Sequence, residues 1–330
     1  MARVTVFGAG AMGTALAIHL ARKGEEVALW GSEFDARVLP DLLEKRSHPA
    51  LPHELPPSVR VLGPEDVAEA GKGADLAVMA ASSNGARSLA RLVKEAVEES
   101  TVVVSIAKGL EPETRKRMSW VYQDELGGRS LVAVGGPSLA AEVSEGLPGR
   151  AVFAAASSKA LDLAASTFRS PTYGVDTTDD VLGVELCGTT KNVGAIGAGI
   201  LEGMGAQREQ AFKNARAALF SRAIFEMANL VEGAGGDRET ALGLAGVGDL
   251  LVTSIGGRNR TYGEAIGEGA DPLRRLEDMQ EQGMTVEGVD SARDVHELAA
   301  TYQLDLPVHD AVYRIVHGGA KPESILEALV

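Results

Sequence analysis

One lysine and one aspartate of this chain stand in surroundings that suit proton transfer. Lys191 is the only charged residue between Gly188 and Leu201, where the other side chains are small, apolar or uncharged. A lysine held among such residues loses hydration, so its charged form is disfavoured and it can accept a proton near neutral pH. Asp249 lies in a predicted loop, the glycine-rich segment 243–250, where an unpaired carboxylate is costly to bury and a lysine would be a suitable partner. Alternatively, Lys191 reaches solvent from a packed helix and Asp249 caps the next helix.

A basic segment further along suits the binding of a phosphate. Residues 256–260 read Gly-Gly-Arg-Asn-Arg. A guanidinium fork donates two parallel hydrogen bonds to a phosphate while glycine backbone folds around it. The segment predicts a turn in which Arg258 and Asn259 bind an anion, and the alternative is a solvated basic turn. Because the formal net charge is −14, such a cluster has to be assembled locally against the field of the whole protein.

Polar residues follow two of the predicted strands at their carboxyl ends, where ligands bind in parallel sheets. Lys108 comes after the strand-like run 102–106. Gly136 and Ser138 come after the run 131–134, and the Pro-Ser pair there suits a helix start that could present backbone and hydroxyl donors to an anion. The alternatives are a solvated surface lysine and ordinary helix capping.

The first thirty residues predict a dinucleotide-binding unit. An apolar run leads into Gly8-Ala9-Gly10-Ala11-Met12-Gly13 and then into a helical stretch. In this G-x-G-x-x-G spacing Gly8 permits the tight turn, Gly10 lets backbone approach a pyrophosphate, and Gly13 lets the helix pack close to the strand. We expect these three glycines, with Ala11 and Met12, to contact the cofactor at the helix N-terminus.

The end of the second predicted strand, 26–30, bears on the choice of cofactor. A carboxylate directly after that strand would bind the ribose 2′-hydroxyl and repel a 2′-phosphate, but Gly31 and Ser32 occupy the place. Ser32 is expected to contact the cofactor, and Arg37 could reach a 2′-phosphate. The sequence therefore predicts NADP or NAD, with NADP favoured.

Strand-like and helical runs alternate in the first half of the chain. Strands are predicted at 59–62, 76–80, 101–106, 131–134 and 150–154, with helices such as 84–96 and 158–168 between them. This pattern is typical of a doubly wound, mainly parallel sheet. The later helices are predicted at 185–204, 210–234, 238–244, 272–282, 291–302, 307–317 and 322–329. We predict an α/β fold with a Rossmann-like dinucleotide-binding domain over residues 1–180 and an all-helical domain for substrate binding and catalysis over residues 181–330.

Composition excludes several classes of protein. The acidic balance, with a sequence pI near 5.0, argues against binding of nucleic acid or an anionic membrane. The single cysteine, Cys187, excludes an internal disulfide and suggests a reducing compartment, so we expect the cytoplasm. The six histidines show no metal-ligand spacing, and no metal site is expected. No uncharged apolar run is long enough to predict a membrane span.

Taken in order, several segments resemble the NAD(P)-dependent sn-glycerol-3-phosphate dehydrogenases of bacterial and archaeal type. These are Gly8 to Ala15, Ala107-Lys108-Gly109, Gly136-Pro137-Ser138, Thr190-Lys191-Asn192-Val193, Gly243 to Leu250 and Gly257-Arg258-Asn259. The resemblance runs nearly end to end. It departs from the common bacterial pattern at Met12, which replaces an aromatic residue, and at Gly257, which replaces a serine.

The resemblance implies a reaction and its catalytic residues. The reaction is interconversion of sn-glycerol 3-phosphate and dihydroxyacetone phosphate, with hydride passing between substrate C2 and nicotinamide C4. By the same resemblance Lys191 is the general base or acid at the C2 oxygen, and Asp249 orients it. Lys108 lies at the reacting end and binds both substrate and cofactor.

The resemblance also implies binding residues. Gly136 and Ser138 contact the substrate, and Arg258 with Asn259 clamps the phosphate of the substrate or a nearby phosphate of the cofactor. Glu287 matches a glutamate that contacts the cofactor. The expected partner is a small phosphorylated substrate, and a homodimer and a role in phospholipid synthesis are implied as well.

Two other functions compete with this one. The first is a related two-domain dehydrogenase for a hydroxy acid or sugar acid, which would need a carboxylate clamp. The second is a non-catalytic NADP-sensing protein, which would have no use for Lys191 together with Arg258. The presence of both residues favours the dehydrogenase of a phosphorylated substrate.

Overall fold

The structure, a computed structural model, describes residues 1–208 and 212–330 and divides into two compact units, Met1–Val181 and Leu182–Val330. The predicted helix 210–234 begins outside the described residues, at Gln210, and its described part starts at Lys213.

The N-terminal unit is built on an eight-stranded sheet with the strand order β3-β2-β1-β4-β5-β6-β7-β8. The strands are β1 (Arg3–Phe7), β2 (Glu26–Trp30), β3 (Arg60–Leu62), β4 (Leu76–Met79), β5 (Val102–Ser105), β6 (Leu131–Gly135), β7 (Gly149–Ala154) and β8 (Tyr173–Thr178). All neighbouring strands are parallel except β6 and β7. The strand order reverses between β1 and β4, which is the switch point where doubly wound sheets bind their ligands. The predicted α/β fold with a mainly parallel sheet is confirmed.

Helices cover both faces of this sheet. They are α1 (Ala11–Lys23), α2 (Leu39–Glu44), α3 (Val67–Gly71), α4 (Ala86–Val93), α5 (Met118–Leu126), α6 (Ala140–Glu145) and α7 (Ser158–Phe168). Successive side chains of a strand point to opposite faces, so Val6 joins one hydrophobic cluster and Phe7 the other. Helix α1 ends where Gly24 adopts the left-handed conformation and its N–H caps the last turn, which sets the short return into β2.

The described residues of the C-terminal unit form helices and turns and contain no strand. The helices are α8 (Val181–Gln207), α9 (Lys213–Gly233), α10 (Arg238–Leu242), α11 (Asp249–Ile255), α12 (Arg258–Gly267), α13 (Pro272–Glu281), α14 (Glu287–Tyr302), α15 (Pro307–Gly318) and α16 (Ser324–Glu327). The predicted all-helical composition is confirmed for these residues.

Two local expectations in this unit are wrong. Asp249 is the first residue of α11 rather than part of a loop, and residues 244–248 before it form a wide helical turn. Arg258 begins α12, so the expected basic turn is the first turn of a helix. Gly257 separates α11 from α12 with a φ of 105°, which a residue with a side chain rarely adopts, and the helix restarts directly after it.

Glycines set the packing of α8 against α12. A Cβ on Gly199 would lie 2.8 Å from the backbone N of Glu264, and one on Gly267 would lie 2.8 Å from the backbone N of Met204. Gly203 and Gly263 meet backbone of the opposite helix in the same way. The two backbones therefore approach more closely than any residue with a Cβ would allow, which fixes the start of α12 relative to α8.

Among the described residues no single helix is long and apolar enough to cross a membrane. One pair, Arg238–Ile255 with Arg258–Gly267, meets the length and composition required only when taken together and is bent by 56° at its break.

Candidate active site

The glycine loop between β1 and α1 has the form of a diphosphate cradle. Gly8 has a φ of 110° and donates its N–H to the carbonyl oxygen of Trp30 at 2.9 Å. A Cβ on Gly13 would collide with the carbonyl oxygen of Gly8 and lie 3.0 Å from the Cβ of Ala80, so close packing demands glycine there. At Gly10, by contrast, nothing lies within 4 Å of an added Cβ, and no side chain caps the N-terminus of α1. The open space at Gly10, beside uncapped helix N–H groups, fits a dinucleotide.

Asp35, which was not among the predicted site residues, joins the turn after β2 to this loop by hydrogen bonds. Asp35 accepts hydrogen bonds from the backbone N of Ala9 at 3.1 Å and from the backbone N of Ser32 at 2.9 Å. The Ser32 hydroxyl is buried, donates to Asp35 at 3.0 Å and accepts from the N–H of Phe34, whereas Arg37 is exposed. A serine followed three residues later by an acidic residue is a capping-box spacing, and that signal could have identified Asp35.

Lys108 and Gly136 are brought together at the carboxyl ends of β5 and β6. The Lys108 Nζ donates to the carbonyl oxygen of Gly136 at 2.8 Å. Gly136 directly follows β6 and has a φ of 89°, so the backbone leaves the extended conformation of the strand at this residue. Because β5 and β6 are hydrogen-bonded neighbours, both residues stand at one edge of the sheet.

Ser138 lies near Lys108 but does not start a helix as expected. Helix α6 begins at Ala140, after Leu139 in an extended conformation, and has no side-chain cap. A cavity of about 50 Å³ is lined by Ser138, Lys108, Met12 and Tyr173, among others. Burial raises the pKa of Tyr173 to about 12, against the opposing effect of a hydrogen bond with Ser138, so the phenol stays neutral. Tyr173 lies on β8, and no spacing in the sequence connects it with this edge of the sheet.

Lys191 forms a buried ion pair in the C-terminal unit. Its Nζ donates to Asp249 Oδ1 at 2.9 Å and to Thr253 Oγ1 at 2.8 Å. The side chains of Lys191 and Asp249 are 9% and 2% exposed. The Thr253 hydroxyl also donates to the backbone oxygen of Asp249 at 2.7 Å. Thr253 was missed, although it follows Asp249 by four residues and so lies on the same helix face.

Buried amides link α8, α12 and α14 beside this pair. Asn259 Nδ2 donates to Asn192 Oδ1 at 2.9 Å, and the N–H of Gly288 donates to Asn259 Oδ1 at 2.9 Å. Arg258, next to Asn259, donates to Thr285 Oγ1 at 2.9 Å. Glu287 is the first residue of α14, directly before Gly288.

The chain thus carries two groups of candidate site residues. Gly8, Gly10, Ala11, Met12, Gly13, Lys108, Gly136 and Ser138 lie at or near the switch-point edge of the N-terminal sheet, with Ser32 and Arg37 in the turn after β2. Lys191, Asp249, Arg258, Asn259 and Glu287 lie in or beside the helical network of the C-terminal unit. Among the described residues no cluster of three or more His, Cys, Asp or Glu could hold a metal ion.

A glycine loop at the switch point of a parallel sheet, in a chain that also carries a buried lysine with a carboxylate partner, defines the class of nicotinamide-dinucleotide oxidoreductases. Two family models match, described as the N-terminus and the C-terminus of NAD-dependent glycerol-3-phosphate dehydrogenase, over residues 3–161 and 180–327. The chain belongs to the family of NAD(P)-dependent glycerol-3-phosphate dehydrogenases.

Individual relatives agree with this assignment. The chain is 38% identical to a glycerol-3-phosphate dehydrogenase (NAD(P)+) from Desulfitobacterium hafniense, with 100% of this chain and 91% of that protein covered. It is 33% identical to an NADP(+)-dependent glycerol-3-phosphate dehydrogenase from Archaeoglobus fulgidus, over 98% of this chain and 97% of that protein. The crystal structure of glycerol-3-phosphate dehydrogenase from Coxiella burnetii matches with a TM-score of 0.89 and 32% identity, over 99% of this chain and 98% of that one. The resemblance inferred from the sequence is confirmed.

Proposed function

We propose that this enzyme interconverts sn-glycerol 3-phosphate and dihydroxyacetone phosphate, with Lys191 as the general base or acid. The observation that carries the proposal is the buried contact of Lys191 with Asp249 and Thr253, beside the Asn192 to Asn259 bond. The bound dinucleotide supplies the hydride acceptor for C2 in oxidation and the hydride donor in reduction. NAD and NADP are both cofactors of the family, and we favour NADP because Arg37 is exposed and available to a 2′-phosphate.

The geometry around Lys191 supports a role in proton transfer. In oxidation Lys191 takes the proton of the C2 hydroxyl, and in reduction it returns a proton to the C2 oxygen. Asp249 and Thr253 hold Nζ through two hydrogen bonds, so the substrate oxygen meets a proton donor whose position is already fixed. The Asp249 carboxylate also pairs with the Lys191 ammonium, so neither charge is buried without a partner.

The remaining site residues bind and orient. In the N-terminal unit, Gly8, Gly10, Ala11, Met12, Gly13 and Ser32 would hold the dinucleotide, while Lys108, Gly136 and Ser138 contact the substrate. Lys108 also contacts the cofactor. In the C-terminal unit, Arg258 and Asn259 clamp a phosphate of the substrate or cofactor, and Glu287 contacts the cofactor. The support for the clamp is chemical, since a guanidinium beside a buried amide at a helix start suits a phosphate dianion.

The reaction is tested by initial rates of NADPH and NADH oxidation with dihydroxyacetone phosphate, with unphosphorylated dihydroxyacetone as the control. We expect rapid oxidation with the phosphorylated ketone and little with the control, and a higher rate with NADPH. The absence of turnover with either cofactor, in a protein that demonstrably binds one of them, would contradict the assignment of the substrate. Equal rates with both ketones would contradict the phosphate clamp.

Three broader statements belong to the same proposal. We place the enzyme in the cytoplasm, because a chain with the single cysteine Cys187 has no internal disulfide, as is usual in a reducing compartment. We propose a homodimer on the family resemblance, which sedimentation analysis would test by the mass of the particle in solution. The product sn-glycerol 3-phosphate would serve phospholipid synthesis.

A further inference from the structure

The segment that carries Lys108 contains little regular structure. It runs from the end of β5 to the start of α5, residues 106–117, and its backbone is tied by an isolated bridge between Leu110 and Arg117 and by the N–H of Glu111, which donates to Lys116 O at 3.0 Å. Such a segment needs side-chain anchors if the Lys108 ammonium is to keep one position. Glu111, three residues after Lys108, is 7% exposed and provides that anchor.

The partner of Glu111 is an arginine that no motif identifies. Arg87, on α4, binds the carboxylate in a fork, with Nε to Oε1 at 2.6 Å and Nη2 to Oε2 at 2.8 Å. The same guanidinium reaches α5, with Nη1 to Glu125 at 2.6 Å and Nη2 to Asp124 at 3.3 Å. The hydrogen bonds from Arg87 hold the pKa of Glu111 below its usual range despite the opposing effect of burial. One side chain therefore joins α4, the Lys108 segment and α5.

The backbone between Glu111 and Lys108 transmits this anchor. Gly109 has a φ of 114°, and a Cβ there would lie 3.1 Å from the Ser83 hydroxyl, so the chain passes close to the start of α4. Leu110 is 3% exposed and is held in the core. Because Leu110 and Glu111 are both held in place, they restrict the position of the Lys108 backbone. From that position Nζ donates to the Gly136 carbonyl oxygen at 2.8 Å.

We infer that Arg87 is a positioning residue for Lys108 and acts on the reaction through Glu111. The inference rests on the proposed function, because it takes Lys108 to be a residue that binds substrate and cofactor. Lysine cannot replace Arg87, since an ammonium lacks the planar fork that satisfies Glu111 and Glu125 together.

The chain offers a matched control on the same helix. Arg91 also binds Glu125, at 3.0 Å, but its side chain is 64% exposed, whereas that of Arg87 is 19% exposed. An ion pair in which the arginine is largely exposed contributes little to structure or stability. Arg91→Lys therefore makes the same chemical change one helical turn away, without the proposed effect on Lys108.

The test compares kcat/KM for dihydroxyacetone phosphate in Arg87→Lys, Glu111→Gln and Arg91→Lys, each checked for folding by circular dichroism. We expect a loss of about 10-fold in Arg87→Lys, a smaller loss in Glu111→Gln, and a change below about 2-fold in Arg91→Lys. The loss should be absent in a Lys108→Ala background, because Arg87 then has no Lys108 to position. An effect of purely structural origin would persist in that background.

Each outcome decides between the alternatives. If Arg87→Lys and Glu111→Gln match Arg91→Lys, or if the Arg87→Lys loss is unchanged in Lys108→Ala, the inference is wrong while the proposed reaction stands. If the unaltered enzyme does not turn over dihydroxyacetone phosphate, the proposed function itself fails. Should Arg87→Lys not fold, Glu111→Gln with the same double-variant comparison decides the question.

Discussion

Substituting Gly199 by alanine should separate two helices and impair the site that they carry. The added Cβ lies 2.8 Å from the backbone N of Glu264 and closer still to the carbonyl oxygen of Arg260. Ordinary van der Waals contact begins near 3.4 Å, so relief of the Glu264 contact alone moves α8 and α12 apart by about 0.6 Å, and relief of the closer Arg260 contact requires a larger shift. Backbone atoms cannot rotate away as the end of a flexible side chain can. We expect a loss of about 1–3 kcal/mol in the free energy of unfolding.

The same displacement reaches the candidate site through Asn259. The bond from Asn259 Nδ2 to Asn192 Oδ1 is 2.9 Å long, and a shift of about 0.6 Å stretches it to the limit of a hydrogen bond. Misplacement of Asn259 and Arg258 against Lys191 should lower kcat/KM for the phosphorylated ketone by about 10-fold or more. Dinucleotide affinity of the glycine loop, measured by fluorescence quenching, should stay unchanged.

Gly318→Ala is the matched control. The nearest atom to its added Cβ is the Cβ of Arg314 at 3.8 Å, which is ordinary contact. Its stability should be equal to that of the unaltered protein or up to about 1 kcal/mol higher, since alanine has the better helix propensity. The assay is urea unfolding together with steady-state kinetics. Equal stability and activity of Gly199→Ala and Gly318→Ala would refute the claim that close backbone packing positions the site.

Two further predictions concern the glycine loop and a buried carboxylate. Gly10→Ala should fold with unchanged stability, because its Cβ meets nothing within 4 Å, but it should weaken dinucleotide binding at least about 10-fold. Gly13→Ala should lower the free energy of unfolding, because its Cβ collides with the backbone of Gly8. Similar unfolding curves for both variants would contradict this. The buried Glu226 should stabilise the fold in a pH-dependent way. Burial raises its pKa, but hydrogen bonds from His309 and from backbone N–H groups of α15 outweigh that effect and hold the pKa below its usual range. Its contribution is therefore present above the unfolded pKa of about 4.5 and is lost as the pH falls through the lower folded value. Glu226→Gln should cost about 2–3 kcal/mol at pH 7 and progressively less below pH ~4.5, measured by urea unfolding, and a constant difference down to pH ~3 would contradict it.

The N-terminal architecture was predictable because its signals are local. The apolar run of β1, the glycines at 8, 10 and 13 and the cap at Gly24 act within one β-α-β unit, and each agrees with its neighbours. Helix α12 was not predicted. Glycine lowers helix propensity, so Gly263 and Gly267 argue locally against a helix. Close packing against α8 demands small residues there and overrides that preference.

In the candidate site, too, residues with a local sequence signal were predicted, and partners brought together by tertiary packing were not. Lys191 and Asp249 were identified from their types and surroundings, but the contact between Lys191 and Thr253 spans 62 residues of sequence and depends on how α8 and α11 pack. The bond between Asn192 and Asn259 spans 67 residues. Tyr173 begins β8, which runs in the direction opposite to β6, so the start of β8 and the carboxyl end of β6 share one edge of the sheet near Ser138. Such partners become visible only when the tertiary structure is known, because no spacing encodes them.

The measurement that tests the central claim most directly is turnover of dihydroxyacetone phosphate by Lys191→Ala, with the exposed Lys321→Ala as the control. Dinucleotide affinity and folding are measured on the same samples. Loss of the proton donor should lower kcat by about 10²–10⁴-fold while dinucleotide affinity is retained, and a small primary amine added to the solution should restore part of the rate. If Lys191→Ala turns over within a few-fold of Lys321→Ala, Lys191 is not the group that transfers the proton.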